Sequence, residues 1–381
     1  MKSARVQLAL WAGIFQVQAA DPQFVPAPNS PLKLPGGGHD FVLAELNGDR
    51  KPDLLVCGGG SLTILFGNGR GGFEPTTNAP IKLPHGAGEM VAGDFNRDGK
   101  IDWAGAHHDH YDVMVMLGAG NGRFSPAPGS PFVARAPGKR PHTHGLAAGD
   151  VNGDGNLDLV TANNEDNDMS VLLGDGTGRF TRAPGSPFPA GRSPYPFALV
   201  DLNGDQKLDL AVPNSGPGVR TITVLLGDGA GAFRPAPQSP FRADGDVLLV
   251  VAADVNGDRK PDLIATHDGD TLVTLLRGDG LGGFKPASTS PVNLGNRAWG
   301  IVPADLNGDG NVDLAAAGQE AVAVLLGEGG GAFRPANGSP FRSGKGSWRL
   351  ALADLNSDGK LDVVAGSIES DEISILLMKN P

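Results

Sequence analysis

Cysteine is almost absent from this 381-residue chain: there is one, Cys57. An internal disulfide is thereby excluded. Cys57 lies in the apolar run Leu54-Leu55-Val56-Cys57, which reads as buried core and not as a reactive thiol. Basic runs are lacking too. None exceeds a dipeptide, and 42 acidic against 31 basic residues leave a net charge of −11. Such a surface repels a phosphate backbone, which argues against nucleic acid and for cations. No apolar stretch is long enough for a membrane span. The nearest, Val6 to Val17, follows Lys2 and Arg5 and precedes Ala19-Ala20, the pattern of a secretory leader. Residues 1–20 are therefore read as a signal peptide. Residues 21–381 are read as one exported, soluble domain, either extracellular or periplasmic. Nucleophile elbows, phosphate loops and His-Glu-x-x-His are all missing, so no catalytic residue is assigned.

What the chain has instead is 58 Gly and 31 Pro. That density breaks helices, and Gly does not recur every third residue as a collagen requires. With 40% hydrophobic residues a core is available, and an all-β fold of short strands and many turns remains.

The strands are organised by a repeat. Glu45-Leu-Asn47-Gly-Asp49-Arg-Lys-Pro-Asp53 is echoed from Asp94, Asp150, Asp201, Asp254, Asp305 and Asp354, at spacings of 49 to 56 residues. A second motif, Gly-x-Gly-x-Phe, keeps the same period at Phe73, Phe124, Phe180, Phe233, Phe284 and Phe333, and Ser-Pro follows it in every copy but the first, which has Ala79-Pro80. A seventh copy stands at the N-terminus, Phe24-Val-Pro-Ala-Pro-Asn-Ser-Pro31, and the last unit ends without one. The spacing predicts four strands per unit, the acidic loop joining the first strand to the second. Seven units then form a seven-bladed β-propeller, with the N-terminal strand completing the last blade. A solenoid would need caps at both ends, whereas this chain has complementary half-units.

Asp-x-Asn-x-Asp-Gly-x-x-Asp joined to Val-Leu-Leu-Gly-Asp-Gly-x-Gly-x-Phe resembles the FG-GAP/VCBS repeat family. The propellers of integrin α-subunits belong to the same superfamily, as do several lectins and polysaccharide lyases. The resemblance implies the propeller and calcium, and leaves open whether a member binds, adheres or catalyses.

The loop chemistry points to calcium on its own terms. Positions 1, 3, 5 and 9 are hard oxygen donors, suited to Ca2+ and not to zinc or copper. They are Glu45, Asn47, Asp49 and Asp53; Asp94, Asn96, Asp98 and Asp102; Asp150, Asn152, Asp154 and Asp158; Asp201, Asn203, Asp205 and Asp209; Asp254, Asn256, Asp258 and Asp262; Asp305, Asn307, Asp309 and Asp313; and Asp354, Asn356, Asp358 and Asp362. Half of the 42 acidic residues lie in these loops. Up to seven Ca2+, one per loop, would offset their mutual repulsion and staple a fold without disulfides. Position 6 is Gly in four loops but Arg50, Gln206 and Arg259 in the others, which costs energy if that position needs a positive φ. With Arg50 and the longer Glu45, the first loop is expected to be the weakest site.

The opposite face is where loops vary and a ligand can dock. Six residues before each acidic loop stand His39, Gly88, His144, Tyr195, Leu248, Trp299 and Trp348. Thirteen after each loop start stand Gly58, His107, Asn163, Asn214, His267, Gly318 and Ser367. Both sets are expected to ring the axis there. His107, His108 and His110 should neighbour His142 and His144, as a transition-metal site, an acid/base pair or a solvated polar loop. Trp299 with Arg297, and Trp348 with Arg349, suit a sugar-stacking platform. Trp103 replaces a Leu of the other units and reads as core. The favoured function is a calcium-binding module for a glycan or an extracellular protein. A polysaccharide lyase using His144, His107 or Tyr195 is the alternative, and a self-associating extracellular subunit the third reading.

Overall fold

The computed structural model describes residues 21–34, 40–58, 60–77, 80–84, 86–135, 142–367 and 369–379. The leader and His39 lie outside the described residues. Seven antiparallel sheets form the blades. In the third, Thr143–Gly149, Asp158–Asn163 and Asp168–Gly174 run outward from the axis as inner, second and third strands. The inner strand of each blade touches those of both neighbours, and Asp40–Ala44 of the first blade meets Ser347–Ala353 of the last. The ring is closed.

Apolar side chains collect between blades. Among the described residues there are seven clusters, each shared by two adjacent blades. Second strands are therefore covered on both faces. This is why they read as unbroken apolar runs such as Leu54 to Cys57 and not as alternating ones. Burial pushes the Cys57 thiol up to about 12. Trp103 is fully buried between the first two blades, as expected.

The outer strand is divided into two pieces, Phe180–Arg182 and Phe188–Pro189 in the third blade, both paired with the third strand. At the break, Val171 N–H donates to Ser186 Oγ at 2.9 Å, so a side chain takes the place of a strand partner. Ser130, Ser239, Ser290, Ser339 and Ser30 accept the equivalent amide in five further blades. The recurrent Ser-Pro thus keeps the third strand's amides satisfied across the interruption. The third strand itself ends on Gly for a steric reason. A Cβ on Gly227 would lie 2.2 Å from the Leu208 carbonyl oxygen at the end of the acidic loop.

The last blade takes its outer strand from the other end of the chain. Gln23–Pro26 pairs with Glu372–Lys379, Phe24 lying opposite Met378. Phe24 is buried and meets Phe341 edge-on at 5.2 Å. Asp21 accepts two hydrogen bonds from the Arg334 guanidinium, at 2.7 and 2.9 Å, and this pairing holds its carboxyl below the usual range. Truncating the closing strand's anchor, Phe24→Ala, is expected to cost about 3–5 kcal/mol, measured by denaturant unfolding. Phe341→Ala, which removes the partner ring, should overlap with it in a double-mutant cycle.

Candidate functional site

Two regions carry chemistry, one on each side of the ring. On the first side lie the acidic loops. Asp94 accepts the amides of Asp98 and Gly99 at 3.1 and 2.9 Å, Asn96 Oδ1 accepts Asp98 N–H at 3.0 Å, and Asp98 accepts Lys100 N–H at 2.9 Å. The side-chain oxygens at positions 1, 3 and 5 thus turn inward over the loop's own amides. Position 3 also reaches position 5 directly, Asn152 Nδ2 donating to Asp154 at 3.1 Å and Asn307 Nδ2 to Asp309 at 3.0 Å. The donor set, carboxylate and amide oxygens, has the chemistry of a hard-cation site. The carboxylates are held on backbone amides of their own loop.

The ninth acid has a second duty that its spacing did not reveal. Asp102 is fully buried and accepts Phe95 N–H at 2.8 Å and Gly118 N–H at 2.7 Å. One carboxylate therefore ties the start of the loop to the end of the third strand. Asp53, Asp158, Asp209, Asp262, Asp313 and Asp362 make the same pair of bonds. Burial drives Asp102 up to about 6 against the pull of those amides, and Asp94 and Asp98 push the same way.

Position 6 has a positive φ in all seven loops, including Arg50 at 65°, Gln206 at 68° and Arg259 at 64°. Position 4 does too, which was not foreseen. It is Gly in five loops but Arg97 at 61° and Ser357 at 62° in the others. Only the third and sixth loops have Gly at both positions.

The other side carries a path of rings. Trp299 and Trp348 lie 6.3 Å apart at 37°, and Tyr195 meets Trp348 at 6.3 Å and His144 at 4.1 Å. His144 then touches His142 at 4.5 Å and His108 at 4.9 Å. Six side chains from five blades converge; His144, Tyr195, Trp299 and Trp348 come from the position six before the loops, and His142 and His108 do not. Local backbone explains the aim. The inner strands slip register between Ala298 and Gly300 and between Ser347 and Arg349, so each Trp is the extra residue of a β-bulge, a device that re-aims a side chain. Tyr195 sits between Pro194 and Pro196. Neither proline can donate to a ladder, and the inner strand of that blade shrinks to Ala198–Val200. Burial raises the Tyr195 phenol to about 12, helped by Glu89 and Asp268.

Acidic and basic partners stand under these rings. His144 Nδ1 lies 3.1 Å from Glu89 Oε1. Burial alone would push Glu89 up, but His144, Arg349 and the Gly145 amide together hold it below its usual range. Arg349 reaches Asp40 at 2.8 Å and 3.2 Å. Burial drives Asp40 up to about 6 despite Arg349, and Glu89 adds to the rise. Among the described residues, one trio of ligating side chains has donor atoms all within 4.8 Å of one another: His108, His142 and His144. Burial lowers His142, as do His144 and His108.

Other expected site residues are placed differently. The set thirteen after the loops is buried at the ends of second strands and bonds within its own blade. His107 pairs with Asp112, His267 lies 2.8 Å from Thr274 Oγ1, and Asn163 donates to Asp168 at 2.6 Å. At 1% and 2% exposure, His107 and His267 offer a ligand no surface, because both faces of a second strand are covered. His110 is exposed outside the trio, its ring 6.0 Å from His107. Arg349 is committed to Asp40 and does not join Trp348 as a platform, while Arg297 is exposed.

The sequence profile of the FG-GAP-like repeat matches residues 45–105, 94–161, 150–212, 254–316 and 305–365, more than half of the chain. The chain belongs to the FG-GAP-like repeat proteins. A search of curated proteins finds no match for this FG-GAP chain. Among solved structures it is similar to BBS1N in complex with ARL6DN, with a TM-score of 0.64 at 12% identity, over 94% of this chain and 97% of that one. It is also similar to an Agrocybe aegerita lectin recognising non-reducing terminal N-acetylglucosamine, with a TM-score of 0.55 at 20% identity, over 90% and 86%. Virginiamycin B lyase from Staphylococcus aureus matches with a TM-score of 0.56 at 12% identity, over 93% and 98%. At these identities the likeness is one of fold. Within the FG-GAP repeat, left-handed backbone at a residue with a Cβ is the local cost. Gln206→Gly and Ser357→Gly should each stabilise the chain by about 1 kcal/mol, read from urea midpoints at constant m-value.

Proposed function

We propose that this FG-GAP propeller is an exported calcium-binding module that captures a glycan on the face opposite its acidic loops. The observation that carries the reading is the Trp299–Trp348–Tyr195 group. Three large rings, each only partly buried, are brought together at the axis by bulges and prolines. Aromatic faces of this kind stack on the C–H faces of sugars, and the neighbouring polar groups supply hydroxyl partners. The lectin among the similar structures makes terminal N-acetylglucosamine a reasonable first probe. Calcium is supported by the oxygen donor sets and by loops whose side chains already turn inward. Export is supported by the leader pattern of residues 1–20. Outside the cytoplasm, affinities of roughly 10−4–10−3 M would keep such loops filled.

Two measurements test the reading. Thermal unfolding in millimolar Ca2+ and in excess chelator should differ by many degrees, with full recovery on adding Ca2+ back. Equal melting curves would remove calcium from the account. Titration with N-acetylglucosamine-terminated oligosaccharides, followed by Trp fluorescence, should give saturable binding weakened about tenfold or more by Trp348→Ala, the equivalent of about 1.4 kcal/mol. Unchanged binding in that variant would displace the site. Unsaturated products appearing in the mixture would assign the chain to the lyase reading.

A further inference from the structure

We propose that His108, His142 and His144 bind one divalent transition-metal ion of the zinc class through their Nε2 atoms, independently of calcium and of any glycan. The trio is drawn from two blades: His108 follows the second strand of one, and His142 and His144 lead into the inner strand of the next. Its donor atoms all lie within 4.8 Å of one another.

Each imidazole has a carboxylate on its other nitrogen. His144 Nδ1 is 3.1 Å from Glu89, His108 Nδ1 is 3.0 Å from Asp109, and His142 Nδ1 is 3.7 Å from Glu165. A carboxylate there keeps the proton on Nδ1 and turns a basic Nε2 toward the common centre, the arrangement that orients histidine ligands in metal sites. Three carboxylates beside the three rings also bring the negative charge that favours a dication.

His142 and His144 face each other closely, their Nε2 atoms 2.7 Å apart. Glu89 stands at hydrogen-bond distance from His144 Nδ1, which leaves the His144 Nε2 to present its lone pair toward His142. A metal ion between the two Nε2 atoms would be held by both rings and leave the Glu89 contact in place. Zinc–nitrogen bonds of about 2.0–2.1 Å in a tetrahedron place two ligand atoms about 3.4 Å apart, so the rings need to separate by well under 1 Å. Imidazole suits zinc, nickel and copper, and does not suit the calcium expected in the acidic loops. Three protein ligands leave one position open for water or for a ligand's oxygen, and the Tyr195 ring lies beside the trio, 4.1 Å from His144.

The test is metal binding by the full chain, stripped with chelator and returned to millimolar Ca2+ so that the loops are not in competition. Zn2+ titrated calorimetrically should saturate at one ion per chain. Co2+ in its place should show the visible absorption of a four-coordinate site and lose it on adding Zn2+. His108→Ala and His142→Ala, both at partly exposed positions, should weaken Zn2+ at least 100-fold. Glu89→Gln should weaken it by about 10–100-fold, and His110→Ala should leave it unchanged. Melting in Ca2+ is measured alongside, and if a variant proves unfolded, the His108 variant and the Co2+ spectrum of the parent still decide the matter. A parent chain that takes up no Zn2+ and gives no Co2+ band overturns the proposal. So does Zn2+ binding that survives both His substitutions.

Discussion

Every blade hangs on a carboxylate in its interior. The ninth residue of each acidic loop spends both oxygens on backbone amides, one at the start of the loop and one at the end of the third strand, as Asp102 does with Phe95 and Gly118. A single side chain thereby holds three strands in register at the acidic-loop end of the sheet. Its burial is unfavourable for the charged form, and the groups are driven up accordingly, to about 7 in the case of Asp362. Two amide donors per carboxylate reduce that penalty but do not abolish it. If the loops take up calcium as proposed, a dication alongside would reduce it further.

The two faces of the ring divide the work. On one, seven near-identical loops repeat a single chemistry. On the other, the blades differ: Tyr195, the pair Trp299 and Trp348, and the three histidines come from different local devices. Bulges present the tryptophans, a pair of prolines presents Tyr195, and buried acids orient the imidazoles. Identical sheets give the face its rigidity, and the departures from identity give it chemical character.

Much of this architecture was legible in the residues. The period of the acidic motif, the stray Phe24 at the wrong end of the chain and the non-glycine residues at position 6 led to seven blades, to closure by the first strand and to left-handed backbone at Arg50, Gln206 and Arg259. What stayed hidden depended on contacts between blades. Glu89, Asp40 and Arg349 belong to three different blades, and nothing in their neighbourhoods announces that they meet. His107 and His267 looked like ligands because their type is uncommon in a core. Their position at the end of a strand covered on both faces decides otherwise. The ninth Asp reads as a metal donor from spacing alone, and only the sheet geometry shows the two amides that it also holds.

The seam of the ring joins residues more than 350 positions apart, Gln23 opposite Lys379. The earliest strand described therefore has no partner in the sheet until the latest one is in place. Until the final residues are available, Phe24 has no groove and the strand beginning at Glu372 has a bare edge. Six blades can assemble beside one another as they are synthesised, yet the circle remains an open arc with two unfinished ends. The pairing of Gln23–Pro26 with Glu372–Lys379 makes the last blade the latch of the whole ring.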